Sequence, residues 1–427
     1  MHPLRANARI LAAALIGTAI EFYDFFIYGT AAALVFGPLF FPAYSPAAQT
    51  LLAFASFGIA VIARPIGAVA FGHFGDRLGR KTTLVASLLL MGFSTLAIAF
   101  LPTYATAGWI APALLCLMRF GQGLGLGGEW SGAALLAVEY APKGWESRFV
   151  AVMQLGAPLG FFAANGVFMV LGLALDDDAF RAWGWRIPFL ASALLVAVGL
   201  WVRLTIEETP AFRAALARER PARVPFAEVV REHGGAVLAG SAGVIATFAL
   251  FYMTTAFALA QAAGPLGYPR ETFLAIQLAA NLFYAGGIIL AGMLADRVGA
   301  GRIVAGAALA TVAVGIVYGP ALGAGLGAAA VMLCAGMLVL GIGNGPQGRW
   351  LSGLFPVRVR YTGVAIAFNV GGALGGAVTP ILAQLLVAEG AAIYTGLLLA
   401  VAGVLTLCGV ALARRTAAPE AIAVPGA

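Results

Sequence analysis

Long apolar runs recur along the chain at near-even spacing, separated by short polar segments. They bracket approximately residues 10–40, 50–72, 82–101, 109–140, 149–173 and 185–204, then 236–262, 272–294, 303–320, 325–347, 362–388 and 391–412. A helix of about 20 apolar residues crosses the hydrocarbon core of a bilayer, and the longer runs fit tilted helices that protrude from it. The pattern predicts an all-α integral membrane protein of about twelve transmembrane helices. The first run contains Glu21 and Asp24 and lacks a cleavage pattern, so it reads as a first span rather than a signal peptide.

The break in the pattern falls at residues 205–235, the most charged segment, with Glu207, Glu208, Arg213, Arg218, Glu219, Arg220 and Arg223 in its first part. It reads as an amphipathic cytoplasmic linker with some helix. The expected organisation is an N-terminal six-helix bundle over 1–204, the linker over 205–235, a C-terminal six-helix bundle over 236–413, and a short cytoplasmic tail over 414–427.

Composition agrees with lipid as the main solvent. Hydrophobic residues make up 62% of the 427 residues and charged ones only 10%, against about 25% charged in soluble proteins. The net charge of +7 raises the question of nucleic acid, but the basic residues lie in short segments between apolar runs and form no phosphate-gripping patch. They read as topology signals instead. Twenty of the 25 lysines and arginines fall in the tails, the even-numbered loops, the linker and the helix end before it, so both termini are expected in the cytoplasm. Cys116, Cys334 and Cys408 sit inside apolar runs and suit neither a disulfide framework nor a metal site. His2, His73 and His233 lie outside the spans, which excludes a histidine proton relay through the membrane.

The two halves are related. Gly72-His-Phe-Gly75-Asp76-Arg77-Leu-Gly79-Arg80-Lys81 follows the second run, and Gly292-Met-Leu-Ala-Asp296-Arg297-Val-Gly-Ala-Gly-Arg302 follows the eighth. A weaker pair is Pro142-Lys143 after the fourth run and Pro356-Val-Arg358 after the tenth. A six-helix unit repeated in this way is a transporter architecture, with the substrate site near mid-membrane between the halves.

The string at 72–81 resembles the signature loop of the major facilitator superfamily, and 292–302 sits where that superfamily has its second copy. Arg119-Phe-Gly-Gln122-Gly resembles its fourth-helix motif. More narrowly, the stretches Gly17-Thr-Ala-Ile-Glu21-Phe-Tyr-Asp24, Arg119 to Gly132 with Glu129, Trp185-Arg-Ile-Pro-Phe, and Leu354 to Gly363 followed by Asn369-Val-Gly-Gly resemble the metabolite:proton symporter family. That resemblance covers about residues 10 to 412 and implies a major facilitator fold of two pseudo-symmetric six-helix bundles. It implies proton-coupled symport, by alternating access, of small carboxylates or zwitterions such as proline and betaine. It also implies that the 72–81 loop closes the cytoplasmic side around Asp76, Arg77 and Arg80. Two departures stand out. The second loop copy has Ala300-Gly301 where a basic pair is expected, so gating contacts there are expected to be weaker. The tail after Arg415 is short and has no heptad period, unlike osmosensing proline/betaine members.

Charged side chains within spans each cost roughly 2.5–3.5 kcal/mol on insertion scales, which makes them functional candidates. Glu21, Asp24 and Tyr28, spaced i, i+3 and i+7, occupy an arc of about 60° on one helix face. Arg119, Gln122 and Glu129 share an arc of about 80° on the fourth helix. A buried carboxyl beside an arginine can exchange a proton as a carboxylate substrate takes over the arginine. Glu21, Asp24 or Glu129 with Arg119 as partner is the candidate proton-coupling set; a fixed ion pair pinning helices is the alternative. Arg64, before Pro65, either holds a substrate carboxylate with its guanidinium fork or snorkels or pairs with Asp76.

The C-terminal half offers neutral hydrogen-bonding groups instead. Gln277, Asn281 and Tyr284 share one face of the eighth helix, Gln154 and Asn165 share one face of the fifth, and Tyr252, Asn344, Gln347 and Asn369 are further candidates for lining a cavity. Buried amides also stitch helices together. Gly123-Leu-Gly-Leu-Gly-Gly128 follows no strand, so it reads as helix packing rather than nucleotide binding. The expected protein is not an enzyme. It is expected to be a multi-pass transporter of the bacterial inner membrane, working as a monomer without cofactor or metal and driven by the proton gradient. An exporter of the same fold and a non-transporting sensor are the alternatives. Exporters often carry a Gly-Pro motif in the fifth helix, where this chain has Gly156-Ala-Pro158-Leu-Gly160.

Overall fold

The computed structural model describes residues 3–44, 46–204, 225–263 and 265–416. Twelve helices among these residues are long and apolar enough to cross a membrane. They are α1 (Ala8–Ala31), α2 (Gly58–Leu78), α3 (Lys81–Ala99), α4 (Ile110–Tyr140), α5 (Glu146–Ala174) and α6 (Gly184–Leu204) in the first half. The second half has α7 (Gly234–Ala262), α8 (Thr272–Val298), α9 (Ala300–Gly323), α10 (Leu326–Ser352), α11 (Val357–Ala388) and α12 (Ala392–Arg415). Each coincides with one apolar run of the sequence. In lipid, backbone N–H and C=O groups find partners only within a helix, which is why uninterrupted apolar runs take this form.

Packing repeats between the halves. In the first, α1 packs on α5, α2 on α4 and α3 on α6; in the second, α7 packs on α11, α8 on α10 and α9 on α12. The halves meet through another matched pair, α2 on α11 and α8 on α5. Large apolar side chains such as Ile62, Leu194, Trp201 and Ile316 point outward and stay exposed, as a lipid-facing surface requires.

Close crossings rest on missing side chains. A Cβ on Gly67 would lie 2.0 Å from the Leu124 carbonyl oxygen where α2 crosses α4, and one on Gly341 would lie 2.3 Å from the Tyr284 oxygen where α10 crosses α8. Small residues at these points let the backbones touch, which is the main source of helix affinity in lipid. Short π-helical segments interrupt three helices: Ala32–Phe36 just after α1, Met253–Phe257 in α7 and Leu374–Val378 in α11. The α1 and α7 segments occupy matching places in the two halves.

The two signature loops end their helices in the same way. Gly79 has φ 110° and Gly299 has φ 101°, each three residues after the motif aspartate. Only glycine takes up this backbone region without strain. In the linker, residues 205–224 lie outside the described ones, and the remainder begins with a helix, Pro225–Glu232. Most of the tail, 417–427, also lies outside them.

Candidate functional site: a cavity between the halves and its latched end

The end of the bundle that carries the signature loops and the linker helix is closed by two related clasps. Asp76, at the end of α2, accepts hydrogen bonds from the backbone N–H of Tyr361 (3.1 Å) and Thr362 (2.9 Å) and from the Thr362 hydroxyl (2.7 Å). These donors belong to the first turn of the helical segment Arg360–Ala373 of α11. A helix N-terminus presents free N–H groups and a partial positive charge, so a carboxylate is the matching partner. Asp296, at the end of α8, does the same to the start of α5, accepting from Ser147 N (2.7 Å) and Arg148 N (3.3 Å), with Arg148 Nε at 3.6 Å. Each clasp joins opposite halves. Gly72 and Gly75 let α11 approach, since a Cβ on them would meet Thr362 at 2.8 Å and the Tyr361 ring at 2.4 Å.

The basic residues of the loops play other parts. Arg77 is exposed, with Nη1 3.2 Å from His73 Nε2, and Lys81 donates to the Leu204 carbonyl at 2.9 Å. Arg297 is exposed. The Arg80 side chain lies outside the described residues. The second loop, despite Ala300-Gly301, keeps its aspartate clasp, with the Ser147 side chain beside the backbone donors.

Toward the middle of the bundle a cavity opens between the halves. Glu21 and Arg64 reach it from the first half, and Tyr252, Tyr284, Asn344 and Gln347 from the second. Aromatic walls close it: Phe22, Phe25 and Trp130 on one side, Phe248, Phe251 and Phe368 on the other. Trp130 stacks on Phe368 with ring centroids 3.5 Å apart, so the floor of the cavity is shared by α4 and α11. The free volume is about 50 Å³, enough for a few waters but well below the roughly 300 Å³ of a typical ligand pocket. The cavity is closed off from the latched end by the two clasps.

Arg64 donates through Nε to Asn369 Oδ1 at 3.2 Å, and Asn369 donates on to the carbonyls of Gly127 (3.1 Å) and Ala365 (2.8 Å). The guanidinium is thereby fixed at the seam while its two Nη groups remain available to an occupant. Glu21 is buried, and its Oε2 has no hydrogen-bond partner among the described residues. On the opposite wall, Asn344 donates to the Tyr284 hydroxyl at 2.5 Å and accepts from Gln154 Nε2, whose own Oε1 accepts from Trp130 Nε1 at 2.9 Å. Gln347 Nε2 donates to Thr247 at 2.9 Å, and its Oε1 has no hydrogen-bond partner among the described residues.

The remaining charged groups of the first half lie away from this cavity. Arg119 donates to Gln122 Oε1 (3.1 Å), Gln122 donates to Thr95 Oγ1 (2.7 Å), and Thr95 donates to Asp24 Oδ2 (2.8 Å); Ser192 donates to Asp24 Oδ1 at 2.6 Å. Arg119 also lies over the Tyr28 ring at 4.1 Å, while the Tyr28 hydroxyl bonds Ser56 at 2.7 Å. Asp24 and Arg119 are thus linked through an amide and a hydroxyl, not as the adjacent ion pair that their helical faces suggested. Glu129 is ion-paired with Arg203 and accepts from Ser87 at 3.3 Å, so its partner is not Arg119. Arg203, which sequence alone assigned to the linker side, is buried between helices and also donates to the Leu84 carbonyl at 2.7 Å. Gly17 makes its space, since a Cβ there would lie 2.2 Å from Arg203 Nη2.

Of the expected cavity-lining residues, Arg64, Tyr252, Tyr284, Asn344 and Gln347 face the cavity, and Glu21 joins them from the candidate coupling set. Gln154 and Asn369 stand one contact behind. Gln277 instead bonds the carbonyls of Thr254 (3.0 Å) and Thr255 (2.8 Å), which the π-helical turn of α7 leaves open. Asn281 donates to the Pro158 carbonyl (3.3 Å) across the seam, and Asn165 to its own helix at Phe161 (3.0 Å). Tyr28 and Gln122 serve the Arg119 network. Arg64 bonds Asn369 and does not pair with Asp76 among the described residues. Trp130, Phe368, Thr95, Ser192 and Arg203 escaped the sequence reading, because nothing in spacing separates them from ordinary packing residues.

Two matched six-helix sets around a central cavity, latched at one end, are the architecture of a membrane transporter. The comparisons agree. The family model described as sugar (and other) transporter matches residues 10–236, and the chain belongs to that family of the major facilitator superfamily; it is a transporter, not an enzyme. It is 44% identical over 420 residues to an inner membrane metabolite transport protein, YhjE, of Escherichia coli K12, covering 97% of this chain and 96% of the relative. It is 37% identical to the shikimate transporter of Escherichia coli K12, over 87% and 86% of the two chains. A proline/betaine transporter of Salmonella typhimurium LT2 is 31% identical over 89% and 77%. Among solved structures, a double-tryptophan mutant of XylE matches with TM-score 0.79 at 16% identity, over 96% of this chain and 95% of the other, which shows the fold.

Proposed function

We propose that the chain is a proton-coupled symporter that imports a small carboxylate-bearing organic acid or zwitterion across a bacterial inner membrane, with its latched end and both termini in the cytoplasm. The observation that carries this reading is the presence of Glu21 and Arg64 together in one central cavity whose other polar groups are neutral. Arg64 offers two Nη groups to a carboxylate in the fork geometry that suits it, and its Nε is already committed to Asn369. Tyr284, Asn344 and Gln347 supply donors and acceptors for the rest of a small polar solute. The aromatic walls offer apolar contact to its carbon skeleton.

Glu21 is the best-placed proton carrier. The other two carboxylates of the candidate coupling set are satisfied, Asp24 by two hydroxyls and Glu129 by Arg203. A carboxyl group without a partner in an apolar setting loses its unmatched charge by taking up a proton. Loading Arg64 with the substrate anion and Glu21 with a proton leaves the cavity with no added net charge, so the loaded carrier can reorient at low cost. The names of the relatives support this substrate class, since shikimate, proline and betaine all carry a carboxylate. No cofactor is needed, and the six-plus-six fold can cycle as a monomer.

The test is uptake of labelled carboxylates into proteoliposomes with and without an inward proton gradient. Wild type is expected to accumulate its solute only with the gradient, and Glu21→Gln to lose accumulation while retaining solute exchange. Gradient-driven accumulation by Glu21→Gln at the wild-type level would remove Glu21 from the coupling role.

A further inference from the structure

A second pocket of about 640 Å³ opens at the latched end, bounded by the start of α5, the turn from α8 to α9, the end of α10 and the end of α12. Three guanidiniums line it, those of Arg302, Arg349 and Arg414. None has an ion-pair partner among the described residues. The two carboxylates on the wall are already engaged. Glu146 accepts from the Gly144 N–H at 3.0 Å, and Asp296 holds the start of α5. Arg148 offsets Asp296 while Glu146 keeps its charge, so three arginines against one carboxylate leave the pocket a net charge of about +2. Its depth comes from small residues at Gly299, Ala300, Gly301 and Gly353, and its inner wall is apolar, with Trp350, Leu354 and Val410. The departure of the second signature loop from the first, Ala300-Gly301 in place of a basic pair, is what leaves this volume open.

We propose that this pocket binds a phosphate-bearing anion, with Arg302, Arg349 and Arg414 as its ligands. Arginine suits a phosphate, since a guanidinium can donate two parallel hydrogen bonds to its oxygens. A volume of several hundred Å³ accommodates a phosphate with an attached organic group. The apolar inner wall suits either a lipid glycerol region or the organic part of a soluble phosphate ester. The three arginines all belong to the second half, while Glu146 and Ser147 come from the first, so the anion is held from one side of the seam.

The experiment compares purified wild type with the triple variant R302Q/R349Q/R414Q and a charge-keeping triple lysine variant. Inorganic pyrophosphate is titrated calorimetrically in neutral detergent. In parallel, nanodiscs of phosphatidylcholine with or without phosphatidylglycerol are assayed for lipid retained by the protein in native mass spectrometry. Saturable pyrophosphate binding that weakens at least tenfold in the glutamine variant supports a soluble ligand. Selective phosphatidylglycerol retention lost in that variant supports a lipid headgroup. Equal behaviour of wild type and glutamine variant toward both probes overturns the proposal. If the glutamine triple fails to elute as a single species, the lysine triple takes its place, and it must weaken binding by loss of the forks alone. The readouts do not involve transport, so they stand apart from the test of the substrate cavity.

Discussion

Replacing Asp76 with Asn tests whether the aspartate clasp holds the latched end shut. Asp76 Oδ2 accepts from both the backbone N–H and the hydroxyl of Thr362, while Oδ1 accepts from Tyr361 N–H. An asparagine keeps one acceptor oxygen but turns an NH2 group toward Thr362 N–H, donor against donor. Two charge-assisted bonds at about 1.5–3 kcal/mol each are at stake, together with the attraction between a carboxylate and a helix N-terminus, about 0.3–1 kcal/mol. The Thr362 hydroxyl can turn to accept from the new amide, which returns part of the loss. A net cost of about 3 kcal/mol to the closed state remains, a shift of roughly 10²-fold in the closed-to-open ratio. The assay is a spin-label distance measurement between cysteines at Lys143 and Arg297, on opposite halves at the latched end, in a background lacking Cys116, Cys334 and Cys408. Asp76→Asn is expected to add or enlarge a longer-distance population. A distribution identical to wild type would refute the clasp as a determinant of closure.

Arg203→Met strands the Glu129 carboxylate, and breaking one side of a buried pair costs about 3–5 kcal/mol; the thermal midpoint in detergent should fall clearly, with Arg203→Met/Glu129→Gln recovering much of the loss. An equal midpoint for the single and double variants would speak against the pair. Gly67→Leu places side-chain atoms where the Leu124 carbonyl lies 2.0 Å from a bare Cβ, so little folded protein should elute from gel filtration, whereas normal yield would contradict the crossing. Asn369→Ala releases Arg64 Nε from its anchor; uptake KM for the solute should rise about tenfold or more with the latch distances unchanged, and an unaltered KM would detach Arg64 from binding. For pH, the proposed symport predicts that accumulation grows as the external medium is made more acidic than the lumen and disappears when the gradient is collapsed by a protonophore, and gradient-independent accumulation would oppose it.

The fold was legible because apolar runs of span length leave the backbone one choice in lipid, and all twelve helices fall on runs visible in the sequence. The clasp aspartates were legible from their repeat, but their partners were not: a helix N-terminus has no sequence mark when its donors are the N–H groups of Tyr361, Thr362, Ser147 and Arg148. Helical periodicity placed Glu21, Asp24 and Tyr28 on one face, yet a face says nothing of depth. Glu21 reaches the cavity while Tyr28, about two turns on, meets Ser56 and Arg119. The amide stripe of α8 divided for a related reason. Gln277 is drawn to carbonyls freed by the π-helical turn of α7, an irregularity that no residue pattern announces. Arg203 was hidden by its place near a charged linker, where an arginine ordinarily marks topology.

The most direct test of the central account is proton movement coupled to solute entry. Lightly buffered proteoliposomes containing the protein are given an external carboxylate such as shikimate, and the external pH is followed. The account predicts a rise in external pH on solute addition, as protons enter with the solute, and no rise with Glu21→Gln. A fall in external pH, or solute entry by wild type with no pH change, would contradict it.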